Sequence, residues 1–208
     1  MKIIRIDRRR LSRRILDEVA TALREGSVVA YPTDTAYGLA AVPSIPEAVA
    51  KIYAIKGRET GKPLPVIVSS LSDADSLVSL LGKARKLAIK YWPGPLTVVA
   101  PLRSGGGRSL RALGLAETAA VRVPKSSWAR ALAKAAGGAI TSTSANLSGQ
   151  PAPYTAADVR RAFGARRHRP DIILDAGRLP PRAVSTIVRV VRDKIKILRQ
   201  GAIMVGQR

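Results

Sequence analysis

The sequence predicts a three-layer α/β fold on a mixed sheet, folded as a single domain over residues 1–208. Short apolar runs alternate with segments of helical spacing through the first half, as a sheet flanked by helices requires. The later apolar runs follow one another closely, which calls for antiparallel pairing beside parallel pairing. No internal repeat breaks the pattern, and no linker is long enough to mark off a second domain.

In chain order, Ile3 to Ile6 alternates apolar and basic residues and suits a short edge strand. Leu11 to Glu25 sets Leu11, Ile15, Leu16, Val19, Ala22 and Leu23 at amphipathic helical spacing, and Gly26 stops it. Val28 to Tyr31 reads as a buried strand ended by Pro32, Pro46 to Ile55 as a helix and Leu64 to Val68 as a further buried strand. Leu71 to Lys90 is mostly helical, with a weak point at Gly82. A Pro-Gly-Pro turn opens Trp92 to Pro101, which then becomes a strand. SGGGR, residues 104 to 108, is too glycine-rich to hold one conformation and is expected to be a mobile loop. Ala119 to Val123 and Ala139 to Thr143 are strands, with a helix over Ser127 to Ala136 between them. Ala156 to Phe163 is a helix and Ile172 to Leu174 a strand. Ser185 to Val191 and Lys194 to Leu198, parted by Arg192 and Asp193, form a hairpin.

With 208 residues and a hydrophobic fraction of 46%, the chain can bury a sizeable core. Its 36 Lys and Arg against 14 Asp and Glu give a formal charge of +22, which repels itself unless an anion is near. Nucleic acid is the obvious class of partner, although such a charge attracts any polyanion without specificity. Aromatic residues, at 4%, are too scarce for a stacking platform on single strands. The absence of cysteine and the single histidine, His168, exclude thiolate chemistry, disulfides and Cys/His zinc centres, and no metal ligands are assigned. No window reaches the ~18 apolar residues of a membrane span, so a cytoplasmic protein without a membrane partner is expected.

Several stretches combine chemistry with an exposed position. In Gly138 to Pro151, GAITSTSANLSGQP, a strand runs into consecutive hydroxyls and a small-residue turn whose amides can form an anion-binding nest. The same residues also serve as helix caps and Ser/Thr turns. In YPTDTAYG two threonines flank Asp34 at the end of a strand, where ligands of open α/β sheets bind, or where a capping Asp makes a turn. KGRETGKPL packs Lys56, Arg58 and Lys62 after a helix; it fails the phosphate-loop pattern, leaving three cations that can grip a polyphosphate or partner a helix dipole. Arg122 stands alone in the apolar strand AAVRVP and needs an anion; with few acids nearby in sequence, a bound ligand is favoured over a distant carboxylate.

Taken together, YPTDTAYGL, KGRETGKPL, YWPGPLT, AAVRVP, TSTSANLSGQP, VSTIV and ILRQG resemble the threonylcarbamoyl-AMP synthase family, the YrdC-type domain, in the right order over nearly the whole chain. The resemblance implies a mixed twisted sheet with a basic cavity. It also implies a nucleotidyltransferase that joins L-threonine, bicarbonate and ATP into threonylcarbamoyl-AMP and pyrophosphate, for threonylcarbamoyladenosine in tRNA. Thr35, Arg122, Ser142 and Ser185 correspond to residues that hold threonine. Arg58, Lys62, Thr118, Ser144, Asn146, Ala152 and Arg199 fall where the nucleotide is held, and Lys56, Arg58 and Lys62 are the catalytic cations. Mg²⁺ is expected to accompany ATP, tRNA to bind, and a separate threonylcarbamoyl transferase complex to use the product. Two positions depart from the family pattern: Ile67 stands where some members carry a histidine, and Ala152 can offer only backbone. The chain ends soon after ILRQG, so a short form without the extra C-terminal domain is expected, with SGGGR as a substitute lid.

The implied reaction requires no protein nucleophile: a carbamate oxygen attacks the α-phosphate, and catalysis rests on aligning two anions that repel. A nucleic-acid-binding module, for tRNA or double-stranded RNA, is the alternative that the charge favours. A YrdC-like paralogue acting on another carbamoyl-adenylate is the alternative left open by Ile67.

Overall fold

The computed structural model describes residues 1–105, 110, 112–114 and 117–206. Gly106, Gly107 and Arg108 of the expected lid therefore lie outside the described residues. The strands form two mixed sheets where the sequence predicts one. The first has five strands in the order β1 (Lys2–Arg5), β9 (Ile172–Asp175), β2 (Val29–Pro32), β3 (Tyr37–Ala40) and β8 (Thr143–Ser144). The second has six: β11 (Lys194–Arg199), β10 (Thr186–Val191), β5 (Leu96–Pro101), β6 (Thr118–Arg122), β4 (Val66–Val68) and β7 (Ala139–Thr141).

Side chains alternate along these strands and feed two cores. Ile173 packs on one face of the first sheet with Tyr37, Leu39 and Phe163, whereas Val29, Tyr31, Ile172 and Leu174 pack on the other with Val19, Leu23 and Leu132. The second core belongs to α1 (Arg13–Arg24) and α5 (Ser127–Ala135), and α5 contacts strands of both sheets, covering the seam between them. The larger core holds α2 (Pro46–Lys56), α3 (Leu71–Leu77), α4 (Gly82–Tyr91) and α6 (Ala156–Phe163). Serines start the helices where the sequence provides them: Ser12, Ser70 and Ser126 cap α1, α3 and α5, and Thr155 with Asp158 forms a capping box on α6.

Three differences from the sequence reading have local causes. Pro32 ends its strand as expected, but as the last pair of a hairpin, opposite Tyr37, whose strand β3 the sequence reading left unassigned. The helix expected over 71–90 divides because Val78 forms a bridge to Leu102 and Ser79 N–H donates to Pro101 O. The strand expected over 139–143 divides between the sheets, and that division builds the site.

Candidate active site

Ser142 is the single residue between β7 and β8. Its N–H donates to Pro65 O at 2.8 Å, and the N–H of Thr141 donates to Ala41 O at 2.9 Å, so the chain leaves one sheet and joins the other within one step. Tyr31 donates its hydroxyl to Ser142 Oγ at 3.1 Å, and burial raises the pKa of that phenol far above its ordinary range, which keeps it a donor. Gly38 pairs opposite Ser144, and a Cβ there would sit 3.3 Å from both Thr143 O and the Tyr31 ring. Glycine thus lets β3 approach β8 closely.

Two hollows open at this seam. Thr35, Arg122, Ser142 and Ser185, the expected threonine residues, all line the first, of about 210 Å³. Lys56, Lys62 and Asn146 line the second, of about 460 Å³. Arg58, Thr143, Ser144 and Arg199 line both, which makes the hollows adjoining chambers of one site. Thr118 and Ala152 line neither: Thr118 opens β6 opposite Pro101, and Ala152 lies half-buried in the segment before Pro153.

In the first chamber Arg122 is 6% exposed, and its Nε donates to Gly94 O at 2.9 Å. Its Nη2 meets Asp34 Oδ1 at 2.6 Å, so the anion it needs comes from the β2–β3 turn, correcting the preference for a bound ligand. Among the described residues Nη1 has no such partner, and Arg122 still faces the chamber. Thr35 Oγ1 lies 3.0 Å from Thr33 Oγ1. Across the chamber, Arg199 donates to Ser185 O at 2.8 Å and to Ser185 Oγ at 3.0 Å, and Ser185 Oγ lies 2.9 Å from Thr97 Oγ1. Thr97 is not among the expected site residues, although it closes the motif YWPGPLT. Ile67, 1% exposed, forms part of the wall with its methyl groups.

In the second chamber Lys56 Nζ donates to Ser144 O at 2.7 Å, Asn146 O at 2.9 Å and Asn146 Oδ1 at 3.2 Å. An ammonium has three hydrogens, and these contacts use all of them, so Lys56 shapes the 144–146 turn instead of offering a free donor to a ligand. Burial first and the Arg58 charge second push its pKa down to about 8. Arg58 Nη2 rests 3.3 Å from Pro63 O, and Lys62 Nζ lies 3.0 Å from Glu59, an exposed pair that a polyphosphate can replace. Among the described residues no group of three or more acids or histidines could hold a metal. No described helix is long and apolar enough to cross a membrane.

Hydroxyls and cations, with acids already engaged, suit the site to holding and aligning anions. The fold and the paired chambers define a ligand-binding α/β protein. A model of the Sua5/YciO/YrdC family, described as "Telomere recombination", matches residues 21–201, and the chain belongs to this family. The threonylcarbamoyl-AMP synthase of Bacillus subtilis (strain 168) is 37% identical over 187 residues, covering 89% of this chain and 53% of that protein. The threonylcarbamoyl-AMP synthase of Thiobacillus denitrificans is 38% identical over 172 residues, covering 74% and 86%. The crystal structure of P. abyssi Sua5 complexed with L-threonine superposes with a TM-score of 0.85 at 33% identity, over 97% of this chain and 58% of that one. The chain spans about half the length of the Bacillus and Pyrococcus relatives.

Proposed function

We propose that the chain is an L-threonylcarbamoyladenylate synthase, condensing L-threonine, bicarbonate and ATP to threonylcarbamoyl-AMP and pyrophosphate. The observation that carries this reading is the pair of adjoining chambers that share Arg58, Ser144 and Arg199. One is walled by buried hydroxyls and a guanidinium, as an amino acid requires, and the other by cations and a small-residue turn, as a polyphosphate requires. Relatives named threonylcarbamoyl-AMP synthase and the superposition on a threonine complex support it.

In this reading Thr35, Ser142 and Ser185 orient the threonine hydroxyl and amine, while Arg122 Nη1 pairs with its carboxylate. Arg58, Lys62, Ser144 and Arg199 hold the nucleotide and offset charge as pyrophosphate departs, with Asn146 and Lys56 shaping their turn. Thr118 and Ala152, which line neither chamber, take no part in this reading. Among the described residues Glu59 is the one carboxylate lining the second chamber, and Lys62 engages it, so the residues present do not make a metal site of their own. Mg²⁺ would therefore arrive on the triphosphate, held by phosphate oxygens and water. tRNA threonylcarbamoylation by a separate transferase complex would consume the product.

Pyrophosphate release from ATP should require both L-threonine and bicarbonate; release independent of threonine would refute the reading. Arg58→Ala, which removes a cation common to both chambers, should lower turnover by about 10²-fold.

A further inference from the structure

We propose that Thr97 is a positioning residue that fixes the Ser185 hydroxyl as a hydrogen-bond donor to the side-chain oxygen of the bound amino acid. That threonine is this amino acid rests on the synthase reading; the polarity of the two hydroxyls does not. Leu96 and Val98 of β5 are buried in the larger core. Thr97 between them faces the opposite way, into the wall of the amino-acid chamber. The parallel neighbour β10 begins directly after Ser185, and its Ile187 pairs with Thr97. This register brings the two hydroxyl oxygens to 2.9 Å.

The surroundings fix the direction of that bond. Arg199 Nη2 lies 3.0 Å from Ser185 Oγ, and a guanidinium only donates, so one lone pair of Ser185 is taken. Thr97 is 1% exposed, and among the described residues Ser185 Oγ is the one hydrogen-bond partner of its hydroxyl. A buried hydroxyl hydrogen without an acceptor is costly, so Thr97 donates and Ser185 accepts. Both lone pairs of Ser185 are then occupied, and its own hydrogen is left for the chamber that it lines. The ammonium of an amino acid finds no acceptor there, whereas an oxygen finds a donor. With Arg122 Nη1 on the carboxylate, the oxygen left for Ser185 is the threonine hydroxyl. A ligand that lacks this oxygen strands the Ser185 hydrogen, which is how a polar site rejects such an analogue. Thr97 acts through Ser185 and not on the reacting carbamate.

The test uses Thr97→Val and Thr97→Ser in the full chain. Valine keeps the branched shape that suits a strand and removes the hydroxyl. Arg199 keeps its hold on Ser185 O through Nε at 3.1 Å and Nη2 at 2.8 Å, so the nucleotide side stays in place. Calorimetry measures the binding of L-threonine and of L-α-aminobutyrate, the same skeleton without the hydroxyl. Thr97→Val should weaken L-threonine about five- to tenfold, as loss of about one oriented hydrogen bond requires, and L-α-aminobutyrate by less than about twofold. Thr97→Ser should restore threonine binding to within about twofold of the wild type, since it keeps the donor. In turnover, Thr97→Val should raise KM for threonine by the same factor, with kcat and KM for ATP nearly unchanged. Equal losses for the two ligands would mean a packing role, and unchanged threonine affinity would mean that Ser185 is oriented without Thr97. Failure of Thr97→Ser to rescue would mean that shape and not the hydroxyl matters; each of these results overturns the proposal. A wild type that binds threonine yet releases no pyrophosphate would refute the synthase reading and leave the calorimetric comparison to stand by itself.

Discussion

Asp34 and Arg122 lie 88 positions apart and meet at 2.6 Å with side chains 8% and 7% exposed. Removing one member of a buried pair strands the other charge and costs about 3–5 kcal/mol. Arg122→Ala should therefore lower the urea midpoint as well as threonine affinity, whereas Asp34→Asn, which keeps an acceptor in place, should be the milder change. Calorimetric titration of threonine into folded Arg122→Ala separates the effects; unchanged affinity would remove Arg122 from the amino-acid site. Sequence alone marked Arg122 as a group needing an anion, but its partner depends on a hairpin turn reaching across to β6. Lys56 carries a second residue-scale prediction. Its folded-state value of about 8 lies below the value of ~10.4 that an unfolded chain gives. Between those values the unfolded state holds more protons, so the Lys56 contribution to stability rises with pH as the cost of burying its charge is relieved. Measured against Lys56→Met, the wild type should gain in urea midpoint from pH 7 to pH 10; a constant difference would mean that Lys56 titrates normally.

The segment after β11 shows how an element can be placed by one glycine. Arg199 reaches Ser185 only because the chain turns at once at Gly201, where a Cβ would collide with Val184 O and the Ser185 carbonyl carbon. Thr186 fixes the turn, its Oγ1 accepting from the N–H groups of Gly201 and Ile203 and donating to Ile203 O. Gly201→Ala should cost about 1–3 kcal/mol through overpacking against rigid backbone. Because Arg199 and Ser185 line the site together, it should also weaken both threonine and ATP binding, and an effect on stability alone would show that the segment is not coupled to the chambers. At this scale the elements themselves were largely legible, since α6 and the late hairpin follow directly from spacing and turn residues. What pattern could not reveal was the passage of 139–144 between sheets: β7 and β8 are parted by Ser142 alone, and only their different partners, β4 and β3, separate them. The strand Tyr37–Ala40 went unread for the same reason, because Pro32 ends β2 and only the pairing shows that the chain resumes as a strand beyond the turn.

Across the whole molecule, 36 cations face 14 acids, and the Arg122–Asp34 pair is the one described ion pair whose two side chains are both buried. Exposed pairs contribute about 0–1 kcal/mol each, so screening them loses little, while the repulsion of a +22 chain acts over the whole surface. Raising sodium chloride from about 0.1 M to about 1 M shortens the screening length from about 10 Å to about 3 Å. The melting temperature should therefore rise with salt, with chloride chosen because sulfate or phosphate would also occupy the anion sites. ATP should add its own stabilisation at low salt, about 2.7 kcal/mol at a hundred times its Kd, since a ligand that binds only the folded state draws the equilibrium toward it. That increment should shrink at 1 M, because the exposed Lys62 grips phosphate through a field that salt weakens, whereas the buried Arg122 that meets the threonine carboxylate is screened far less and leaves the threonine increment nearly unchanged. A melting temperature that fell on adding chloride would mean that surface pairs outweigh repulsion. Equal salt sensitivity for ATP and threonine would mean that charge does not divide the two chambers as their lining suggests.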